Sequence, residues 1–373
     1  MKLKIFSGLF LVLFGLSSCI KDNTSKTYTI YRPEFSVKQE ILNNIRLQTP
    51  ATMKSLGSFA LYNKTMFITE KGKGIHVLDC SNPSSPVNRG FIPIPGNNGL
   101  AIKDNYLYAD CFSSLIEVNI SNKDQYAVSG TIPNAFTDRT MNNPIDTTVL
   151  TVKWITKDTT IESWGYNYSL MSSLDKRGSV TYLSPAQSYY TSSTGAGNSV
   201  NPNSGSGGTS IGSSLAVFTI VKNHLYTVDK TSLRSFDISV PTAPVLKSTV
   251  GVSFGISVET IYPFKDLLYL GSSNGMFAYG LNNPDKPNFI SVYNHVRVCD
   301  PVIADDNNAY VTLRSGTGCG GSINRLDILD VQDVQNPSLI TSVSFTNPHG
   351  LSKDGNLLFI CDGTSGLKLM NVA

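Results

Sequence analysis

One phrase recurs along the chain at a spacing of about forty residues, and a repeat of that length excludes most other ways of folding. Gly74-Ile-His-Val-Leu-Asp79 is a short apolar run ending in Asp, followed by a turn that carries Pro83 and Pro86. Leu233-Arg-Ser-Phe-Asp237 runs into Pro241 and Pro244 in the same way, and Gly275 to Gly280 runs into Pro284 and Pro287. Weaker copies end at Asn119, Asp333 and Asn371. Successive run ends are 40, 118, 43, 53 and 38 residues apart. The outlier is one period interrupted by an insertion, placed at residues 133–212.

A second phrase precedes each copy. Thr65-Met-Phe-Ile-Thr-Glu70 follows Asn63-Lys64, and Tyr106-Leu-Tyr-Ala-Asp-Cys111 follows Asp104-Asn105. The pattern returns before Asp229, Ser272, Leu313 and Asp362. Each is a polar turn followed by an aromatic-rich, alternating run, which reads as a strand. A unit is therefore strand, polar turn, strand, loop, strand, Pro turn, strand, with no helical period between. Four short strands per repeat of this length are the signature of a β-propeller blade. The expected fold is all-β: a six-bladed β-propeller over residues 50–373, with a hairpin and loop insertion.

The repeats resemble LVIVD repeats, named for a strand of the kind seen in Ile75-His-Val-Leu-Asp79. The phrases Tyr28-Thr-Ile-Tyr-Arg-Pro33, Gly72 to Asp79 and Ile94-Pro-Gly-Asn97 are similar to Bacteroidetes lipoproteins carrying this repeat. The resemblance spans about residues 28–373 outside the insertion. It implies a propeller and no particular activity, because a propeller hosts enzymes, receptors and scaffolds alike.

The sixth unit ends before a fourth strand, which would leave an edge unpaired. Residues 50–57 are expected to supply that strand and close the ring. Val37, Ile41, Leu42 and Ile45 are spaced for a short helix before the propeller. Within the insertion, residues 147–161 alternate around Lys157-Asp158 and read as a hairpin carrying Trp154. Residues 184–214 are mostly Ser, Gly, Asn and Thr and read as loop. Both tryptophans of the chain, Trp154 and Trp164, fall in the insertion. They serve either as a small apolar cluster or as a contact surface for protein or glycan.

Residues 1–18 read as a lipoprotein signal peptide. Lys2 and Lys4 precede an apolar stretch from Ile5 to Leu16, and Leu16-Ser-Ser-Cys19 follows. This resembles the bacterial lipobox, which makes Cys19 the lipid attachment site. Residues 19–49 then form a tether and N-terminal segment. The implied address is the cell envelope, as an outer-membrane lipoprotein held through its lipid. Lys21-Asp22 resembles a short charged signal for export to the cell surface. Of the other cysteines, Cys80, Cys111 and Cys361 read as small buried hydrophobes. Cys299 and Cys319 flank one turn-rich unit and are the pair considered for a disulfide.

The chemistry is sparse. Lys and Arg number 30 against 27 Asp and Glu, without a dense basic run, so nucleic acid is not an expected partner. His76, His224, His295 and His349 lie far apart with no ligand spacing. Glu70, Cys111, Asp229, Ser272, Leu313 and Asp362 are equivalent positions in the repeat. Three acids facing one rim, Glu70, Asp229 and Asp362, are weak candidates for a cation such as Ca²⁺. The alternative is that each bonds nearby backbone in its own turn. The expected function is a non-catalytic binding or scaffold propeller. The competing reading is a propeller enzyme acting on glycans with metal assistance.

Overall fold

The computed structural model describes residues 25–137, 149–162, 216–252, 258–295, 301–315 and 322–373. Cys19, Trp164, Cys299 and Cys319 lie outside these residues, and of Trp154 only the backbone is described. Blade 1 holds β2 (Leu56–Tyr62), β3 (Thr65–Glu70), β4 (Gly74–Asp79) and β5 (Val87–Pro93). Blade 2 holds β6 (Leu100–Lys103), β7 (Tyr106–Cys111), β8 (Ser114–Asn119) and β9 (Ala127–Ile132). Blade 3 holds β11 (Phe218–Val221), β12 (His224–Val228), β13 (Ser232–Asp237) and β14 (Val245–Gly251). Blade 4 holds β15 (Val258–Phe264), β16 (Leu267–Ser272), β17 (Gly275–Gly280) and β18 (Asn288–Asn294). Blade 5 holds β19 (Val302–Ala304), β20 (Asn308–Leu313), β21 (Arg325–Asp330) and β22 (Ser338–Ser344). Blade 6 holds β23 (Leu351–Asp354), β24 (Leu357–Cys361) and β25 (Leu367–Asn371). Each is an antiparallel meander, five of four strands and the last of three. The molecule is a six-bladed β-propeller.

The repeated phrases act through backbone chemistry. Between first and second strands, Asn63, Asp104, Lys222 and Lys265 take φ of 52° to 55°, and Gly355 takes 54°. That left-handed turn suits the twist of a tight hairpin. After the third strand, Asp79 Oδ1 accepts the Ser81 N–H at 2.8 Å, and Asn82 Oδ1 accepts the Ser84 N–H at 3.2 Å. The same first bond forms from Ser121 to Asn119, Ser239 to Asp237 and Gln332 to Asp330. The Asp at the end of the repeat strand thus starts an Asx turn, which the prolines stiffen.

Blades pack on one another through alternate residues of their strands. One apolar cluster joins blades 1 and 2, with Phe67, Ile75 and Val77 against Ile116 and Val118. Others join blades 2 and 3, blades 3 and 4, and blades 4, 5 and 6. Tyr108, Tyr226, Tyr269 and Tyr310 hold equivalent places in the second strands, and each is at most 1% exposed. Full burial of such a ring is worth roughly 1.5–3 kcal/mol. Cys111 is buried, and burial pushes its thiol up to about 12, so it packs as a hydrophobe.

The N-terminal segment forms the expected short helix and departs from expectation beyond it. A helix α1 (Lys38–Asn44) forms, with Ile41 and Ile45 buried in the cluster of blades 1 and 2. Arg46 then bridges Ala127 of blade 2, and residues 48–55 run along blade 1. Gln48 and Phe91 exchange backbone hydrogen bonds at 2.8 and 3.1 Å, Asn88 Nδ2 donates to the Ala51 carbonyl, and the Lys71 N–H donates to Ser55. Residues 50–57 therefore do not become the fourth strand of blade 6. Gly90 explains the choice: lacking a side chain, it admits the Gln48 carbonyl to the outer strand of blade 1.

The insertion also differs. Residues 149–162 form one continuous strand, β10 (Val149–Glu162), not a hairpin turning at Lys157-Asp158. It pairs with β1 (Ser25–Val37) in a two-stranded sheet, so the stretch read as tether becomes a strand from Ser25 onward. Lys-Asp can turn, as Lys265-Asp266 does in blade 4, but here the Thr and Ile around it favour extension and the stretch pairs with β1. At its start the insertion is shorter than expected, since Ala135 and Phe136 are fully buried between blades 2 and 3.

Candidate functional site

An antiparallel meander sorts its connections between two ends. First-to-second and third-to-fourth connections share one end; second-to-third connections and crossings to the next blade share the other. At the first end every third-to-fourth connection has seven residues, and the first-to-second connections have two, except for three in blade 5. Their charges are paired locally: Lys222 with Asp266 at 2.9 Å, Lys265 with Asp306, and Lys353 with Asp305 at 2.9 Å. Each links the turn of one blade to that of the next.

The second end is varied. It carries the connection from β9 to β11, in which the insertion lies, and the connection from β20 to β21. The six equivalent positions meet here, each paired with or beside the start of its third strand. Their side chains are committed. Asp229 is 5% exposed; its carboxylate accepts the Ser232 N–H and hydroxyl at 2.8 and 2.7 Å and the Thr137 hydroxyl at 2.8 Å. Burial alone would raise its carboxyl, but these hydrogen bonds and the Arg234 charge hold it below the usual range. Asp362, 2% exposed, accepts the backbone N–H groups of Thr346 and Asn347 at 2.9 and 2.7 Å. Glu70 contacts His76 at 2.8 Å and Lys73 at 2.5 Å. Ser272 bonds the Gly275 backbone.

These acids are staples. Asp229 and Asp362 each hold the loop arriving from the preceding blade. Asp110 does the same in blade 2, accepting the Asn98 and Gly99 N–H groups at 2.8 Å each. Sequence alignment missed it because Cys111 occupies the equivalent place and Asp110 lies one residue before. Among the described residues, no group of three or more His, Cys, Asp or Glu side chains converges. Glu70, Asp229 and Asp362 are thus not brought to one point.

The root of the insertion is the most heavily built part of this end. Arg234 Nη1 donates to the Asn134 carbonyl at 2.7 Å, and its Nη2 donates to Thr137 Oγ1 at 2.6 Å. Thr227 Oγ1 donates to the Ala135 carbonyl at 2.9 Å, and Phe136 packs edge-on against Phe218. The chain leaves blade 2 from a clamped turn. Across blades 5 and 6, Arg314 Nη1 lies 2.8 Å from Nδ1 of His349. Burial, then the Arg314 charge, push the His349 pKa down, so it accepts from Arg314 as the neutral imidazole. A cavity of about 270 Å³ beside α1 is lined by Ser36, Glu40, Ile41, Asn44, Pro93 and Pro95. Its single acid gives no partner for acid–base work.

Residues 57–90 and 219–252 match the LVIVD repeat model, which places the matches in blade 1 and in blade 3. Comparison with curated protein sequences finds no match. Among solved structures, the chain is similar to the β-propeller domain of Cps50 (Swd1) from Myceliophteria thermophila, with TM-score 0.50 and 12% identity over 87% of this chain and 85% of that one. A functionally unknown protein from Desulfotomaculum acetoxidans gives TM-score 0.46 and 11% identity over 92% of each chain. At such identities a likeness speaks for the fold alone. The chain is a six-bladed β-propeller that carries LVIVD repeats.

Proposed function

We propose that the protein is a non-catalytic binding or scaffold propeller of the bacterial envelope, anchored by lipid on Cys19 and exposed at the outer membrane. Its contact residues lie in the insertion, where Trp154 and Trp164 would meet a protein or glycan. The observation that carries this reading is how the polar groups are used. At one end they pair between neighbouring turns. At the other the buried acids are consumed in stapling loops, and Arg234, Asp229 and Thr227 fix the root from which the insertion departs. Such a scaffold presents loops rigidly, as a binding surface needs. Catalysis needs a base, nucleophile or metal aimed into a pocket.

The test is retention without turnover. Intact protein on cells is offered purified surface polysaccharide and, separately, secreted protein. Expected is saturable binding of one of them, recovered chemically unchanged and reduced at least tenfold by Trp154→Ala with Trp164→Ala. Release of shortened glycan or cleaved protein, lost on Glu70→Ala, Asp229→Ala or Asp362→Ala, would overturn the proposal.

A further inference from the structure

Five blades cover their third strand with a fourth, and the sixth does not. β25 pairs with β24 on one side only. Ile75, Leu115, Leu233, Met276 and Leu326 hold the same place in the first five third strands, and each is at most 1% exposed. Leu367 holds that place in blade 6 and is 58% exposed, as is Leu369 two residues on. No apolar cluster among the described residues joins blade 6 to blade 1, and no described residue pairs with the outer edge of β25.

The molecule itself records, five times, what sits on such an edge. Opposite Ile75, Leu115, Leu233, Met276 and Leu326 stand Ile92, Ile132, Val250, Tyr293 and Val343. Two residues before each of these stands a small residue: Gly90, Gly130, Ser248, Ser291 or Thr341. Where the position between them faces a charge, it is a hydroxyl: Thr249 opposite Arg234, and Ser342 opposite Asp327. Ser342 donates to Asp327 at 2.6 Å. In blade 6 that position faces Lys368, which is exposed and has no ion pair among the described residues.

We propose that the free edge of β25 takes up one extended segment of another protein, added antiparallel as the fourth strand of blade 6. Its register is that of the five internal copies: a small residue opposite Leu369, an acidic or hydroxyl residue opposite Lys368, and an apolar residue opposite Leu367. Backbone hydrogen bonds supply affinity, and the alternate side chains supply specificity. A second copy of this chain fits less well. Two β25 strands meeting antiparallel about Leu369 would set Leu367 against Asn371 and Lys368 against Met370. Neither the apolar nor the acidic requirement would then be met. This site is separate from the varied loop end, so either can fail without the other.

The probe is a labelled peptide copying residues 333–344, with a second form carrying Ser342→Glu and a third carrying Ser342→Lys. Full-length protein should bind the first. It should bind the Glu form about two- to five-fold tighter than the first, as one exposed charge pair allows, and the Lys form more weakly. Amides 367–371 should gain hydrogen-exchange protection on binding. Leu367→Asp and Leu369→Asp, at half-exposed positions that leave folding intact, should each abolish binding. Absence of binding, or binding indifferent to these variants, would overturn the proposal. So would a concentration-dependent dimer dissolved by Leu367→Asp, which would make a second copy the occupant.

Discussion

The imidazole of His76 and the carboxylate of Glu70 meet at 2.8 Å with both side chains out of solvent, and Lys73 closes the carboxylate from its other oxygen. With Glu70 ionised, His76 Nε2 donates the hydrogen bond, and its Nδ1 is left buried without a partner in the protein. Burial would raise the Glu70 carboxyl, but the bonds from Lys73 and His76 outweigh it, and the pKa falls below the ordinary 4.5. A carboxyl lowered on folding adds stability that is present above its unfolded pKa and is lost as the pH falls through its folded one. Replacing Glu70 by Ala should cost about 1–3 kcal/mol at pH 7, from the buried His76 donor left unsatisfied. Denaturant titrations at pH 7 and pH 3 check the sign. The gap between wild type and Glu70→Gln should shrink in acid, and an equal gap at both pH values would sink the assignment.

Gly90 and Gly130 stand at equivalent places in blades 1 and 2, and they should respond differently to the same change. A Cβ on Gly90 would lie 2.5 Å from the Gln48 carbonyl oxygen and 2.6 Å from Leu47 Cδ1. A Cβ on Gly130 would meet the Glu117 side chain as its nearest neighbour, at 3.2 Å. Gly90→Ala is expected to cost about 1–3 kcal/mol and to loosen the segment over blade 1. Gly130→Ala should cost less than half of that. The check is amide exchange at Gln48 and Phe91, which should accelerate in the first variant alone.

The same comparison shows where sequence reading reaches. Blade period, strand order and turn chemistry were legible because Asp79, Asp237 and their counterparts make the same local bond in five of the six blades; blade 4 ends its third strand in Gly280, and blade 5 uses Asp330 where the repeat spacing points to Asp333. The role of Gly90 was not, because it depends on a carbonyl from forty residues upstream. Lys157-Asp158 looked like a turn by spacing, but pairing with β1 decides that stretch, and pairing between distant segments leaves no local mark. Glu70, Asp229 and Asp362 stand at equivalent places in the repeat, each just before the start of a third strand. The loop groups of the preceding blade that Asp229 and Asp362 hold could be assigned only once the blades were set side by side, whereas Glu70 bonds Lys73 and His76 of its own blade.

Cys19→Ala tests the anchor. A lipidated Cys carrying more than one acyl chain holds a protein stably at a bilayer, and no helix among the described residues is long and apolar enough to cross one. The variant should leave the membrane fraction, and metabolic labelling with a fatty acid should be lost from it. Persistence of label and of membrane association together would show that Cys19 is not the attachment site.

The boundary of the insertion can be read from two excisions of equal length, only one of which spares Ala135, Phe136 and Thr137. Phe136 is fully buried against Phe218, and Thr137 supplies the hydroxyl that Asp229 and Arg234 share. Replacing residues 139–214 with a short Gly/Ser link keeps all three, and the propeller should still unfold in one cooperative transition. Replacing residues 135–210 removes them, and the lost ring alone should cost about 3–5 kcal/mol. Both excisions take away β10, so β1 should lose its amide protection in either, while β2 to β9 keep theirs in the shorter one. Equal melting temperatures for the two would place the core boundary elsewhere. Collapse of the 139–214 excision would mean that the paired strands β1 and β10 are needed for the propeller to fold.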